Sequence, residues 1–232
     1  MKIQNWREMS FLLVIISIIQ YLILTTIAMF FYTGGNAINP SAQSYSFSAN
    51  FISDLGRTKS ISGNPNIISL TLYTIAGVFF SFSLMIFVIA LRDLFKDDIK
   101  TKRISNFITI LGIISAFFML IGYLTPWDIY GSTHVLCGLI FTATGVITLF
   151  LYAIAILFKK QYSNRMAILL LFVFTFAVIN LLIITFLKYN ANSMESLVFQ
   201  VVLQKVTMYS FIMSFLIQGL YIINLEKSKN IS

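Results

Sequence analysis

Cys137 is the only cysteine in the chain, which excludes an intramolecular disulfide and a cysteine-built metal cluster. Its plain role is that of a small residue packed near a helix start. Histidine also occurs once, at His134, and one imidazole with a few carboxylates is a thin ligand set for a transition metal. The three prolines, Pro40, Pro65 and Pro126, all fall between apolar runs, so no run is kinked by one. There is no glycine-rich phosphate loop and no G-x-S-x-G elbow. Nothing in the sequence calls for a metal or another cofactor. Charge is scarce as well. Charged residues make up 10% of the chain against 58% apolar ones, a balance that a soluble domain would not tolerate.

What is present in abundance is uncharged sequence. Six runs, 9–32, 67–91, 107–124, 135–158, 166–187 and 206–225, contain no Asp, Glu, Lys or Arg. A helix of about 20 apolar residues spans a ~30 Å hydrocarbon core and satisfies its own backbone polar groups. The expected fold is an all-α membrane protein, a single domain over 1–232 with six transmembrane helices in one bundle. The first run is 24 residues long. That exceeds the ~7–15 of a signal-peptide core, so it reads as a retained span.

The formal charge of +8 could suggest nucleic acid. Its placement points elsewhere. Lys2, Arg7, Arg92, Lys96, Lys100, Lys102, Arg103, Lys159, Lys160, Arg165, Lys227 and Lys229 flank the ends on one side, and only Arg57, Lys59, Lys188 and Lys205 flank the other. Twelve against four is a positive-inside bias. It predicts a multi-pass protein of the cell membrane with both termini cytoplasmic, and a weak attraction to anionic lipid.

The one long loop, 33–66, is then outside. Within it Phe47, Phe51 and Leu55 recur every four residues, with Asn50 and Asp54 one step round, which predicts a short interfacial helix stopped by Gly56. Asp54 would sit in its last turn, against the macrodipole, a conflict that hints at a partner or a site. Asn64-Pro65-Asn66 would cap the second helix. Gly77 with Ser81, Gly112 with Ala116, and Gly138, Thr142 and Gly145 read as small-residue stripes for close helix packing. Gln20 and Asn180 suit interhelical hydrogen bonds. The last helix is expected to begin near Ser193, leaving Lys205 at the hydrocarbon boundary beside Asp54, Asp128 or a lipid phosphate.

Chemistry could gather at the 125–134 turn, Thr-Pro-Trp-Asp-Ile-Tyr-Gly-Ser-Thr-His. Asp54, Asp128 and His134 form a candidate catalytic group, since histidine titrates near neutrality and a carboxylate can orient it. His134 at a helix start would be held neutral by the positive dipole end. Arg57, Lys59 and Lys205 are candidates to hold a lipid headgroup, with Asn50, Trp127 and Tyr130 in support. Ser53 and Ser132 are possible nucleophiles by residue type alone. Asn50-Phe51-Ile52-Ser53-Asp54-Leu55-Gly56, followed by Gly122, Pro126-x-Asp128 and His134, resembles the prokaryotic family known as domain of unknown function 998. More distantly it is similar to the eukaryotic Frag/DRAM/Sfk six-span group. The resemblance covers nearly the whole chain and implies six helices and a polar outer site at Asp54, Asp128 and His134. It implies no particular reaction. Two functions fit: a protein that binds or acts on a membrane-lipid headgroup, or a structural, assembly or transporter-like protein in which the Asp/His group is a latch.

Overall fold

In a computed structural model the described residues are 3–95, 99–159, 162–187 and 191–229. Lys2, Lys96, Lys160 and Lys188, four of the residues used to predict topology, lie outside them. Six helices dominate: α1 (Ile3–Phe31), α2 (Ile67–Arg92), α3 (Ile99–Leu124), α4 (Trp127–Leu157), α5 (Asn164–Leu187) and α6 (Met194–Lys229). All six are long and apolar enough to cross a membrane, so the chain is a multi-pass membrane protein. Even the shortest, α5 with 24 residues, reaches about 36 Å at ~1.5 Å per residue.

Each helix packs on the next in sequence, and α6 returns to pack on α1, which closes the bundle into a ring. Small residues let the helices approach. A methyl group on Gly77 of α2 would lie 2.0 Å from the Tyr123 ring of α3, so only glycine fits there. Gly112 of α3 similarly faces Val88 of α2. Buried hydroxyls join helices across the ring: Ser17 and Ser83 are 2.5 Å apart, and Tyr123 donates to Tyr21 at 3.0 Å. At the end opposite the 33–66 loop, Phe95 packs edge-on to Tyr152 and stacks near Tyr162, whose hydroxyl donates to Gln218 at 2.8 Å. Aromatic side chains thus seal that end.

The uncharged runs locate every helix but understate several. α1 is continuous from Ile3, six residues before the expected start at 9. α3 begins at Ile99 rather than 107 and takes Lys100, Lys102 and Arg103 into the helix. Long basic side chains can leave a helix end for the interface, so a helix need not stop where its charge begins. α4 begins at Trp127, eight residues before the expected 135, and most of the supposed turn is helix. Pro126 stands at the N-cap with φ −53°, where its missing N–H costs nothing, and Asp128 lies in the favoured first turn. Tyr130, at φ −119° and ψ 38°, marks a kink one turn in. α6 does start early, at Met194, and its 36 residues overreach a ~30 Å core.

Candidate functional site

The 33–66 loop folds into a cap fastened to three helices. Gly34 and Gly35, at φ +101° and +83°, turn the chain sharply as it leaves α1. The Gly35 carbonyl accepts Asn50 Nδ2 at 2.8 Å, tying the two halves of the loop together. The predicted interfacial helix is shorter than its periodicity suggested. Residues 46–50 make a turn, with Asn50 N–H donating to Ser46 O at 2.9 Å, and a 3-10 helix covers only Ile52–Gly56. Long-range bonds override the four-residue period here: Ile52 N–H donates to Gln204 Oε1 of α6 at 3.1 Å.

This break relocates Asp54. It lies in the first turn of the short helix, where a carboxylate is welcome, and not in the last turn of a longer one. Its Oδ2 accepts Phe51 N–H at 2.9 Å and Asn50 Nδ2 at 3.2 Å. Asp54 is only 7% exposed. Burial pushes its carboxyl above the ordinary carboxylate range, against the opposing Asn50 and Phe51 hydrogen bonds and the Arg57 and Lys205 charges. Gly56 does not act as a left-handed stop. A methyl there would meet the Tyr73 ring at 2.4 Å, so the glycine lets the loop lie on α2. Asn66 caps no N–H with its side chain; its Nδ2 reaches back to the Leu55 and Arg57 carbonyls at 3.2 and 3.0 Å.

Lys205 of α6 is 2% exposed and pairs with neither acid directly. Its ammonium donates to the Phe47 and Asn50 carbonyls and lies 5.0 and 4.6 Å from the Tyr45 and Phe47 ring centroids. A buried cation can be held by carbonyl dipoles and ring faces where geometry converges them. Phe47 itself is 57% exposed and stacked on Tyr209. Gln204 and Tyr45, whose hydroxyl bonds the Asn50 and Phe51 carbonyls, are cap residues that the sequence reading did not single out. The polar pair Gln204-Lys205 inside an apolar helix was the available signal.

Asp128 serves a separate fastening. Its carboxylate accepts Thr58 N–H at 2.9 Å, Lys59 N–H at 3.0 Å and the Thr58 hydroxyl. Arg57 lies with its guanidinium 4.8 Å from the Trp127 ring centroid, and its Nε donates to the Lys59 carbonyl at 3.3 Å. Lys59 and Tyr130 are exposed. His134, two turns into α4, bonds through Nδ1 to the Thr125 carbonyl at 2.8 Å. A carbonyl only accepts, so Nδ1 carries the proton and neutral His134 offers Nε2 as an acceptor.

Asp54, Asp128 and His134 thus have three separate sets of hydrogen-bond partners. What two of them share is space. Asp54, Ser53, Arg57 and His134 line one cavity of about 820 Å³, bounded by α3, α4, α5 and α6 and roofed by the loop; Asp128 does not line it. Along α4 the lining runs from His134 through Gly138, Thr142 and Gly145 to Leu149. The stripe divides its work: a methyl on Gly138 would meet nothing within 4 Å, whereas one on Gly145 would lie 3.2 Å from Ser115 Oγ of α3, the close helix contact expected. Packing and cavity lining both call for small side chains, so the pattern alone does not separate them. Asn180 of α5 also lines the space. Among the described residues, no three His, Cys, Asp or Glu side chains come together as a metal site. Comparison with protein-family models, curated proteins and solved structures finds no match to the chain.

Proposed function

We propose that the protein binds a membrane lipid, headgroup beneath the 33–66 cap and chain in the cavity, on the extracytoplasmic side of the cell membrane. The observation that carries this reading is the cavity itself. It is a space of about 820 Å³, walled mainly by apolar and small side chains, with Asp54, Arg57 and His134 at one end. An aqueous substrate would gain little from that wall. A hydrocarbon chain gains roughly 25 cal/mol for each Å² withdrawn from water, and the polar end gives its headgroup hydrogen bonds. His134 Nε2 could take a proton there, which is what a lipid-modifying reaction would use. The side is argued from the twelve-to-four distribution of Lys and Arg, and the family resemblance, itself part of this proposal, agrees with six spans and a polar loop.

Gly138→Phe tests the reading, because Gly138 lines the cavity and a Cβ there has no neighbour within 4 Å, so the ring would take up cavity space. The purified variant should fold and lose co-purifying lipid, measured by native mass spectrometry, whereas wild type retains it. Equal lipid retention in both would overturn the proposal. A second reading, a purely structural cap, draws on the Asp128 bonds to Thr58 and Lys59. It gains if neither protein retains lipid.

A further inference from the structure

Two dimensions of the cavity narrow the kind of lipid it suits. The first is depth. From His134 to Leu149 the lining follows α4 for fifteen residues, about 22 Å at ~1.5 Å per residue. One leaflet of the hydrocarbon core is only about 15 Å deep. α4 itself is 31 residues, about 46 Å long at the same rise, which exceeds a ~30 Å core, and its uncharged run 135–158 begins one residue after His134, which sets His134 near the hydrocarbon boundary. The far end, at Leu149 and Val173, therefore lies past the midplane, and both residues are buried there.

The second is charge at the wide end. Arg57 is the cationic side chain in the lining. Among the described residues it makes no ion pair; Nε is spent on the Lys59 carbonyl, and the terminal nitrogens keep their fork of donors. The Trp127 ring, 4.8 Å away, helps hold that fork in place. Lys205 adds a second positive charge behind the cap, held by the Phe47 and Asn50 carbonyls. Burial disfavours the charged form of Asp54, the acid in the wall, and so weakens the repulsion an anion would meet there.

We propose, resting on the lipid-binding reading above, that the ligand is an amphiphile with an anionic phosphate headgroup on Arg57 and a chain long enough to pass the bilayer midplane. A fork of guanidinium donors matches two phosphate oxygens, and a quaternary ammonium beside Arg57 would be repelled. An ordinary acyl tail confined to one leaflet would leave the lower part of the cavity without contacts.

Alkyl phosphates of 10, 16 and 22 carbons, each matched with the alkyl phosphocholine of the same length, test both halves. Binding to the full chain in detergent would be followed by native mass spectrometry, with inorganic phosphate as the headgroup alone. Affinity should rise at each lengthening, and each phosphate should bind at least about tenfold tighter than its phosphocholine, as one charge-assisted hydrogen bond implies. Arg57→Gln should remove that preference by weakening the alkyl phosphate more than the phosphocholine, whose phosphodiester carries one negative charge that its own ammonium offsets. Chain binding without a phosphate preference, or with a preference that Arg57→Gln leaves intact, overturns the headgroup assignment and keeps the lipid reading. A plateau at 10 carbons overturns the chain length. No binding by any amphiphile overturns the lipid reading as well. Inorganic phosphate binding as tightly as the amphiphiles would make this a phosphate site and overturn the inference.

Discussion

Replacing Lys205 by Met removes the charge that fastens α6 to the cap while keeping an unbranched chain of similar size. The wild-type ammonium donates two charge-assisted hydrogen bonds, to the Phe47 and Asn50 carbonyls, each contributing about 1.5–3 kcal/mol. Its position over the Tyr45 and Phe47 rings adds about 0.5–2 kcal/mol. Opposing these is the desolvation of an ammonium that is 2% exposed, which costs several kcal/mol and is relieved in the variant. The Asn50 carbonyl keeps the Tyr45 hydroxyl at 3.2 Å, whereas no other bond to the Phe47 carbonyl is present among the described residues. The balance is a net loss of about 2 kcal/mol, or roughly 4–8 °C in Tm for a chain of this size. Thermal unfolding in detergent, with limited proteolysis of the loop at 25 °C, reads the effect. Lys59→Met is the control, because Lys59 is exposed and engages the cap through its backbone. If Lys205→Met melts within 1 °C of wild type and its loop is no more readily cut, the buried ammonium does not hold the cap.

Asp54→Asn bears on pH. A carboxyl whose folded pKa is raised binds more protons folded than unfolded, so wild-type stability falls as pH climbs above the ordinary carboxylate value of 3.8. The variant lacks this slope, so the Tm difference should shift in favour of Asp54→Asn between pH 4 and 7; a constant difference refutes the burial argument. Gly77→Ala should cost about 1–3 kcal/mol by driving a methyl into the Tyr123 ring, whereas Gly138→Ala, with open space around it, should gain about 0.5–1 kcal/mol from helix propensity. Equal Tm values for the two alanine variants would mean that these glycines are not distinguished by packing.

The six spans were legible because hydrocarbon admits only helices and closed barrels, and uncharged runs of about 20 residues are helix-length rather than strand-length. Helix ends were not, because Lys100, Lys102 and Arg103 can continue a helix as easily as terminate it, and Trp127 can begin one inside an apparent turn. Within the loop, Asn50 and Asp54 were legible from their spacing of four, and the two are hydrogen-bonded. Their arrangement was not, since Gln204 and Lys205 act across more than 150 residues and override the local period. The trio of Asp54, Asp128 and His134 was chosen by economy of residue type. The fold divides it, giving Asp54 and His134 to the cavity and Asp128 to the loop. The cavity itself had no signature of its own, because Gly138, Thr142 and Gly145 would look the same against a neighbouring helix.

The ring closes through α1 and α6, which lie furthest apart in the order of the six helices, and the cap is held from α6 as well. Asn50 and Lys205 are separated by 155 residues. At a synthesis rate of about 5–20 residues per second, the loop waits roughly 8–30 s for its fastening lysine. Throughout that interval α1 to α5 sit in the membrane as an open arc, their cavity wall facing lipid. Biogenesis therefore has an order: the arc forms first, its concave side already wetted by bilayer lipid, and α6 then shuts the gap. A nascent chain stopped before Met194 should keep residues 55–66 protected through Asp128 and α2 but leave residues 46–52 open to protease, and protection of that half should arrive with α6.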